Sequence, residues 1–597
     1  MKIKNSLLLK VLTVAAGLAL VLPALQAQTG TDAPKPNAGL LLPENFQATM
    51  LADNLGRTRH LVVTPNNMIY VRLARLKDGK GTLLLEQYNN TATVKSSFGD
   101  FGGTGIFLQD DYLYTSSNSE IFRYKLNKSY EVISPDAPEK IVTGLVDKGT
   151  HNTKSIMMDN KGNMYIPIGA PSNSCQVEDR KKGSPGIEDC PLLETSGGVW
   201  QFKPDKLNQT YQDGIRYATG LRNVVAVDWN AQTDQLYVMQ HGRDQLHSIF
   251  PDLYTVKESA ELPAECMYAL NKGDDAGWPY IYYDGFRNKK MLAPEYGGDG
   301  KKEGSNKFID PVAAYPAHTA PNGLLFYTGN QFPEKYRNGA FIAFHGSWNR
   351  APEPQAGYYV VFQPFKNGKP SGEWEVFADG FSGSPEKTAA GKPDRRPCGL
   401  AQGPDGSLYI TDDVKGAIFK VTYNPGDLAK AATPVKTAPA SKAPTTNAVT
   451  GKSNAAAPAS AKTTPAKPAK KPAKKPAASK TTPAPTVSKT TLEAGKLVYM
   501  QYCAACHMVD GSGVQSLNPP LSKTSYVLGT KPRLINVILK GMSQQEVDGE
   551  KYSNAMPPFN FLSDKEIADV LTYIRNDFGN KASAVTAAEV KAERGKK

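Results

Sequence analysis

The stretch Cys503-Ala504-Ala505-Cys506-His507 carries the clearest chemistry in this 597-residue sequence. Two thiols three positions apart on a helical turn can add to both vinyl groups of a haem, and the next residue then lies beneath the iron. A structural zinc site would need two more ligands nearby, and the last 100 residues contain no other Cys or His. Cys503 and Cys506 are therefore read as the covalent anchors of haem c, and His507 as an axial iron ligand. The sixth ligand is sought among methionines. Met508 adjoins the proximal histidine and cannot reach the other haem face. Met542, in Gly541-Met542-Ser543-Gln544, falls in an expected turn and is read as a surface or packing residue. Met556 is followed by Pro557 and Pro558, which would hold a loop rigidly over the distal face, so it is assigned to the iron.

The region around these residues resembles the class I cytochromes c, which place Met-Pro in this way. Thioether ligation suits electron transfer rather than oxygen chemistry. A haem that only passes electrons needs a source, and the upstream motifs are candidates for it. In order they are Gly220-Leu221-Arg222-Asn223, Gln240 to Gln245 with His241, Ala276 to Tyr280, Phe344 to Arg350 with His345, and Arg395 to Gly399. Their wording and order, from about Asn45 to Tyr423, resemble the sorbosone and soluble glucose dehydrogenase family.

That resemblance implies a six-bladed propeller that binds pyrroloquinoline quinone (PQQ) and oxidises sugars. The cofactor carries three carboxylates and receives a hydride, so it needs fixed cations around its acids, and arginine forks match carboxylates with two hydrogen bonds. By resemblance Arg222 and Asn223 contact PQQ, and Arg396 closes the site at the last blade, with Arg395 a further candidate. Arg350 stands where the family has a lysine. The resemblance also implies a calcium ion held by backbone carbonyls, here those of Gly242 and Arg243. His151 matches the family's catalytic histidine, the base that takes the hydroxyl proton as hydride leaves. The other reading of each of these side chains is an inter-blade ion pair or a satisfied core residue.

The elements that must position these groups have their own signal. From about residue 38 to 425 a hydrophobic stretch, a polar turn and a strand centred on Tyr or Phe recur. Copies begin at Leu61, Gly105, Ser155, Val224, Gly323 and Gly399. Each reads as two strands joined by a tight turn. Six such hairpins without a long amphipathic helix between them predict a six-bladed β-propeller, with a β-sandwich carrying excursions as the competing fold. From 426 to 490 the sequence collapses into Ala, Pro, Lys, Thr and Ser, which cannot bury apolar surface and predicts a disordered, extended tether. Residues 491–580 return to helical periodicity and predict a small all-α cytochrome c domain. A capping box at Ser563 and Glu566 starts one helix, and a second runs from Ala494 into the haem motif. A charged tail, 581–597, follows.

Charge narrows the partners. The formal net charge is +13, but 12 lysines lie between Lys430 and Lys489 with no acid among them, and Lys2, Lys4 and Lys10 sit in the leader. The folded parts are near neutral, so no basic face for nucleic acid is expected. Residues 1–27 read as a secretory signal cleaved after Ala27, with an apolar run too short to span a bilayer. A periplasm-like location without a transmembrane segment follows. In such a compartment Cys175 and Cys190, which flank a polar loop, are expected to pair, the alternative being two free thiols.

Together these expectations describe a periplasmic quinohaemoprotein dehydrogenase. A sugar or a small alcohol or aldehyde would be its substrate, and an external redox partner its acceptor. The binding-class alternative is a non-catalytic propeller tethered to an electron-transfer cytochrome, and fold alone does not choose between them.

Overall fold

A computed structural model describes residues 36–425 and 488–596, apart from 504–506, 508–510, 512, 514–517, 543–545 and 553–555. The signal at 1–27, the tether up to 487, Cys506 and Met508 lie outside the described residues.

Each of the six sequence repeats becomes the inner hairpin of one antiparallel sheet, and the sheets form a six-bladed β-propeller. The inner pairs are Thr58–Val63 with Ile69–Lys77 in blade one, Ile106–Gln109 with Tyr112–Ser116 in blade two, and Met157–Met158 with Met164–Ile168 in blade three. Val224–Asn230 with Gln235–Gln240, Pro321–Phe326 with Ala340–Phe344, and Pro397–Gln402 with Leu408–Asp412 open blades four to six. Two outer strands complete each blade, and in blade three a further short strand, Asp274–Asp275, adds parallel at the outer edge. In blade six the outermost is the first strand of the chain, Phe46–Ala52, paired antiparallel with Ala417–Tyr423.

The core lies between blades. One apolar cluster joins Tyr70 and Phe98 of blade one to Leu113 and Tyr124 of blade two. Another joins Phe341 and Phe362 of blade five to Phe46 and Phe419 of blade six. Where a sheet is covered on both faces, its second strand can be a continuous apolar run rather than an alternating one, as in blade five. Ala340–Phe344 is buried throughout.

Blade four carries the largest insertions. They include the short helices Leu246–Ile249 and Val256–Glu261 and the hairpin of Ile281–Asp284 and Lys289–Leu292. A loop of blade three is closed by the Cys175–Cys190 disulfide. It joins the insertions through Asn173 Nδ2 to the Asp244 carbonyl and Ser174 Oγ to Glu295.

The C-terminal domain is helical, with helices at Lys489–Tyr502, Ser525–Leu528, Lys531–Lys540, Asp564–Asn576 and Ala587–Arg594. Ser563 and Glu566 form the expected reciprocal cap. The first helix begins inside the stretch assigned to the tether. It crosses Asp564–Asn576 at Gly495, where a Cβ would lie 2.0 Å from the Asp569 carbonyl oxygen. The segment from 581, read above as a charged tail, carries a packed helix, because Thr586 and Glu589 cap it and Val590 enters the same apolar core as Ile535 and Leu571.

Candidate functional site

The helical domain has a partly open apolar cavity of about 550 Å³, counting the space at its mouth. Cys503, His507, Leu534, Ile538, Leu571, Met542 and Met556 are among its walls. His507 follows Cys503 by one helical turn, its amide bonded to the Cys503 carbonyl. Its Nδ1 lies 2.8 Å from the Pro519 carbonyl oxygen, which can only accept, so Nδ1 carries the proton and Nε2 keeps its lone pair. Burial lowers the pKa of this imidazole, against the pull of Pro519, and so favours the neutral form a metal needs. Met542 and Met556 exchange both backbone hydrogen bonds, at 2.9 and 2.7 Å. Gly541 permits that pairing, since it has φ 73° and a Cβ there would lie 2.5 Å from the Met556 carbonyl oxygen. Met542, read above as a surface or packing residue, lines the same cavity as Met556. A histidine held by a carbonyl, with a free Nε2, in an apolar cavity that thioethers also line fits a haem.

At the mouth of the propeller the expected residues divide into two groups. The first lies at the axis. His151, in a left-handed conformation with φ 52°, places Nδ1 2.6 Å from the Ala170 carbonyl oxygen, again leaving Nε2 as the acceptor. Burial, and then the charge of Arg222, hold its pKa well below the ordinary value. His241 donates from Nε2 to the Pro321 carbonyl at 2.9 Å, and its Nδ1 faces the Asn223 amide at 3.4 Å. Asn223 Oδ1 is then buried without a hydrogen-bond partner among the described residues.

His345 Nε2 donates to Asp413 at 2.8 Å, and Asp413 also accepts from Arg59 at 3.1 Å. Burial alone would raise the Asp413 carboxyl, but His345, Arg57 and Arg59 hold it far below the carboxylate range. The remaining nitrogen of His345 lies 3.5 Å from Arg396 Nη1, and the Arg396 guanidinium sits 5.2 Å over the Tyr358 ring. Among the described residues Arg396 has no carboxylate partner.

The second group is engaged within the protein. Arg222 gives Nη2 to Asp244 at 2.7 Å, Nη1 to the Gly242 carbonyl at 2.8 Å and Nε to the Asn173 carbonyl at 3.2 Å. Arg243 pairs with buried Glu295 at 2.6 Å. Arg350 binds the carbonyls of Ala260, Ala317 and Pro354, and Arg395 pairs with Asp53 and Asp412. Residue type alone could not disclose these partners.

The calcium expectation meets a specific obstacle. A carbonyl that already accepts from a guanidinium is a poor calcium ligand, since the ion would lie close to a fixed positive charge. The Gly242 carbonyl is in that position and does not fit the ion, and no step in the reaction runs through calcium.

Asp244 is the hub that sequence reasoning missed, although it lies in the quoted stretch Gln240 to Gln245. It accepts from Arg222, Arg180 and Asn349. Burial would raise its pKa, but Arg222 and Arg180 drive it far below the carboxylate range. Its contribution to stability is therefore complete above the unfolded carboxyl value and is lost only in strong acid. Asp244→Asn should cost about 3 kcal/mol, because it leaves the buried Arg222 guanidinium without its anion. Denaturant unfolding at pH 7 checks this, and an unchanged midpoint would remove Asp244 from the hub.

Fold and cavities together define a β-propeller followed by a c-type cytochrome module. The chain belongs to the TrAA12-like family, whose model matches residues 40–424. Residues 492–577 match the cytochrome c family. A pyrroloquinoline quinone-dependent pyranose dehydrogenase of Coprinopsis cinerea is 26% identical over 289 residues, 41% of this chain and 38% of that protein. The cytochrome c subunit of a quinone alcohol dehydrogenase of Gluconobacter oxydans is 40% identical over 97 residues, 16% of this chain and 20% of that one. The chain thus spans well under half of either relative. The holo pyranose dehydrogenase PQQ domain from Coprinopsis cinerea shares the propeller fold, with TM-score 0.52 and 19% identity over 66% of this chain and 99% of that domain.

Proposed function

We propose that this chain is a PQQ-dependent dehydrogenase of a sugar or related alcohol or aldehyde, exported to a periplasm-like space, that passes electrons through haem c to an external acceptor. One observation carries the reading: among the described residues Arg396 meets His345 but no carboxylate, and His151 keeps its Nε2 lone pair, in a TrAA12-like chain that continues into a cytochrome module. No helix among the described residues is long and apolar enough to cross a membrane.

The residues present fit an anionic quinone. Arg396 would take a carboxylate as a planar fork, and Asn223 would offer its buried amide. Bound there, the quinone supplies the hydride acceptor. His151 accepts the substrate hydroxyl proton at Nε2, with its ring held by Ala170. Nearby Arg222 disfavours the imidazolium, so the proton is passed on rather than kept. His345, fixed by Asp413, sets the plane of Arg396. Cys503 and Cys506 would hold the haem, with His507 and Met556 on its iron.

Arg396→Ala should weaken PQQ binding about ten-fold or more, as loss of a charge-assisted bidentate contact does. Titration of the cofactor-free protein measures it, and an unchanged affinity would remove Arg396 from the site. The whole reading is tested by adding PQQ and a panel of aldoses to the purified, haem-loaded protein and following haem reduction by absorbance. Substrate-dependent reduction of its own haem is expected. Silence with every sugar and alcohol tried would leave a binding module attached to a cytochrome.

A further inference from the structure

The first strands of the six blades share one register at the axis. In each, one apolar residue pairs opposite the residue that follows the central Tyr or Phe of the second strand. Leu61 faces Val71, Ile106 faces Thr115, Val227 faces Val238, Leu324 faces Ile342 and Leu400 faces Ile410. In blade three Ile156 holds that place, one step before the Met157 and Tyr165 pair. Two residues earlier in each blade stand Arg59, Thr104, Lys154, Val225, Asn322 and Cys398.

These positions converge. Arg59 Nε donates to Thr104 Oγ1 at 3.2 Å. Beside them, Ser155 Oγ donates to the Val225 carbonyl, and His60 Nε2 bonds the Asn322 carbonyl at 2.7 Å, linking blades one and five, which are not neighbours. The ring holds two cations. Arg59 has Asp413 as its counter-ion. Lys154 is 0% exposed, forms no ion pair among the described residues, and gives its ammonium to a single acceptor, the Asn152 carbonyl at 2.7 Å. A fully buried lysine outside any ion pair is rare and costly, and burial, partly offset by the charge of Asp147, pulls this one down to about 8. Three residues before it is His151.

We propose that Lys154 is a positioning residue whose buried charge, held outside any ion pair, favours the anionic cofactor at the mouth, while its bond to the Asn152 carbonyl holds the His151 loop. The inference rests on the dehydrogenase reading above. A protein selected only for stability would place an apolar side chain here. The unpaired ammonium becomes favourable once carboxylates bind nearby.

Lys154→Met and Lys154→Gln, with Lys290→Met as a control at a second buried lysine, are compared with the native chain. Three quantities are read: PQQ affinity from titration of the cofactor-free protein, the midpoint potential of the bound quinone, and the melting temperature without cofactor. Expected are an affinity loss of about ten-fold or more, a potential shifted to more negative values, and a cofactor-free Lys154→Met protein that melts above the native one. The control should change neither affinity nor potential. Binding within two-fold of native by both Lys154 variants would overturn the inference and leave the dehydrogenase reading intact. Variants that melt far below native would show a purely structural lysine and also overturn it. If the native chain binds no PQQ, the dehydrogenase reading falls and takes this inference with it.

Discussion

His151→Gln is expected to lower turnover with bound quinone by about 10²- to 10⁴-fold, the usual contribution of a positioned base. Gln keeps a donor for the Ala170 carbonyl and much of the imidazole's volume, but it has no nitrogen that can take a proton. Cofactor affinity should stay close to native, so the loss falls on kcat. The pH profile provides a second check. Burial and Arg222 hold the His151 pKa well below 6.5, so the base is free at neutrality and remains so in mild acid. In the native enzyme the acid limb of kcat should lie below pH 6.5 and disappear in the variant. Normal turnover in His151→Gln would assign proton removal to another group.

The second large effect belongs to the haem. Met556→Ala should leave the haem attached through its cysteines yet remove the thioether from the iron. The absorption spectrum should change, and the potential should fall by on the order of 100 mV, within the range axial ligands command. Met542 makes the test sharper, since it pairs with Met556 through both backbone bonds and lines the same cavity. Met542→Ala is expected to leave the spectrum unchanged. The opposite pattern would exchange the roles of the two methionines.

What the sequence disclosed was local. Each inner hairpin announced itself because a polar turn separates two apolar runs within about a dozen residues, as at Leu61 to Val71. The partner of Phe46–Ala52 lies at the far end of the propeller, and no local pattern marks that pairing. The helix Ala587–Arg594 did carry a signal, since Thr586 and Glu589 are spaced as a capping box ahead of buried Val590. Lys and Arg around it masked that signal as a tail.

In the site, Cys503 and His507 were legible because covalent haem attachment dictates spacing. Arg222, Arg350 and Arg396 were indistinguishable as residue types. What separates them is the presence of Asp244 beside the first, three backbone carbonyls around the second and, among the described residues, His345 and an aromatic ring beside the third. Lys154 was invisible as anything special, because burial without a counter-ion is a property of the assembled ring.

The strand that seals blade six also sets the order in which this chain can mature. Arg57 Nε and the Asp413 carbonyl oxygen it binds are 356 positions apart, and Thr58 and Asp412 are tied across the same seam. Such contacts form late and slowly, because the intervening chain must be ordered before they are rewarded. Until residues near Tyr423 have emerged, blade six lacks its last strand and presents open edges to neighbouring chains. The cytochrome module lies beyond that point. Its residues are therefore synthesised only after the ring has the means to close, so the cytochrome module folds onto a chain whose propeller is already complete.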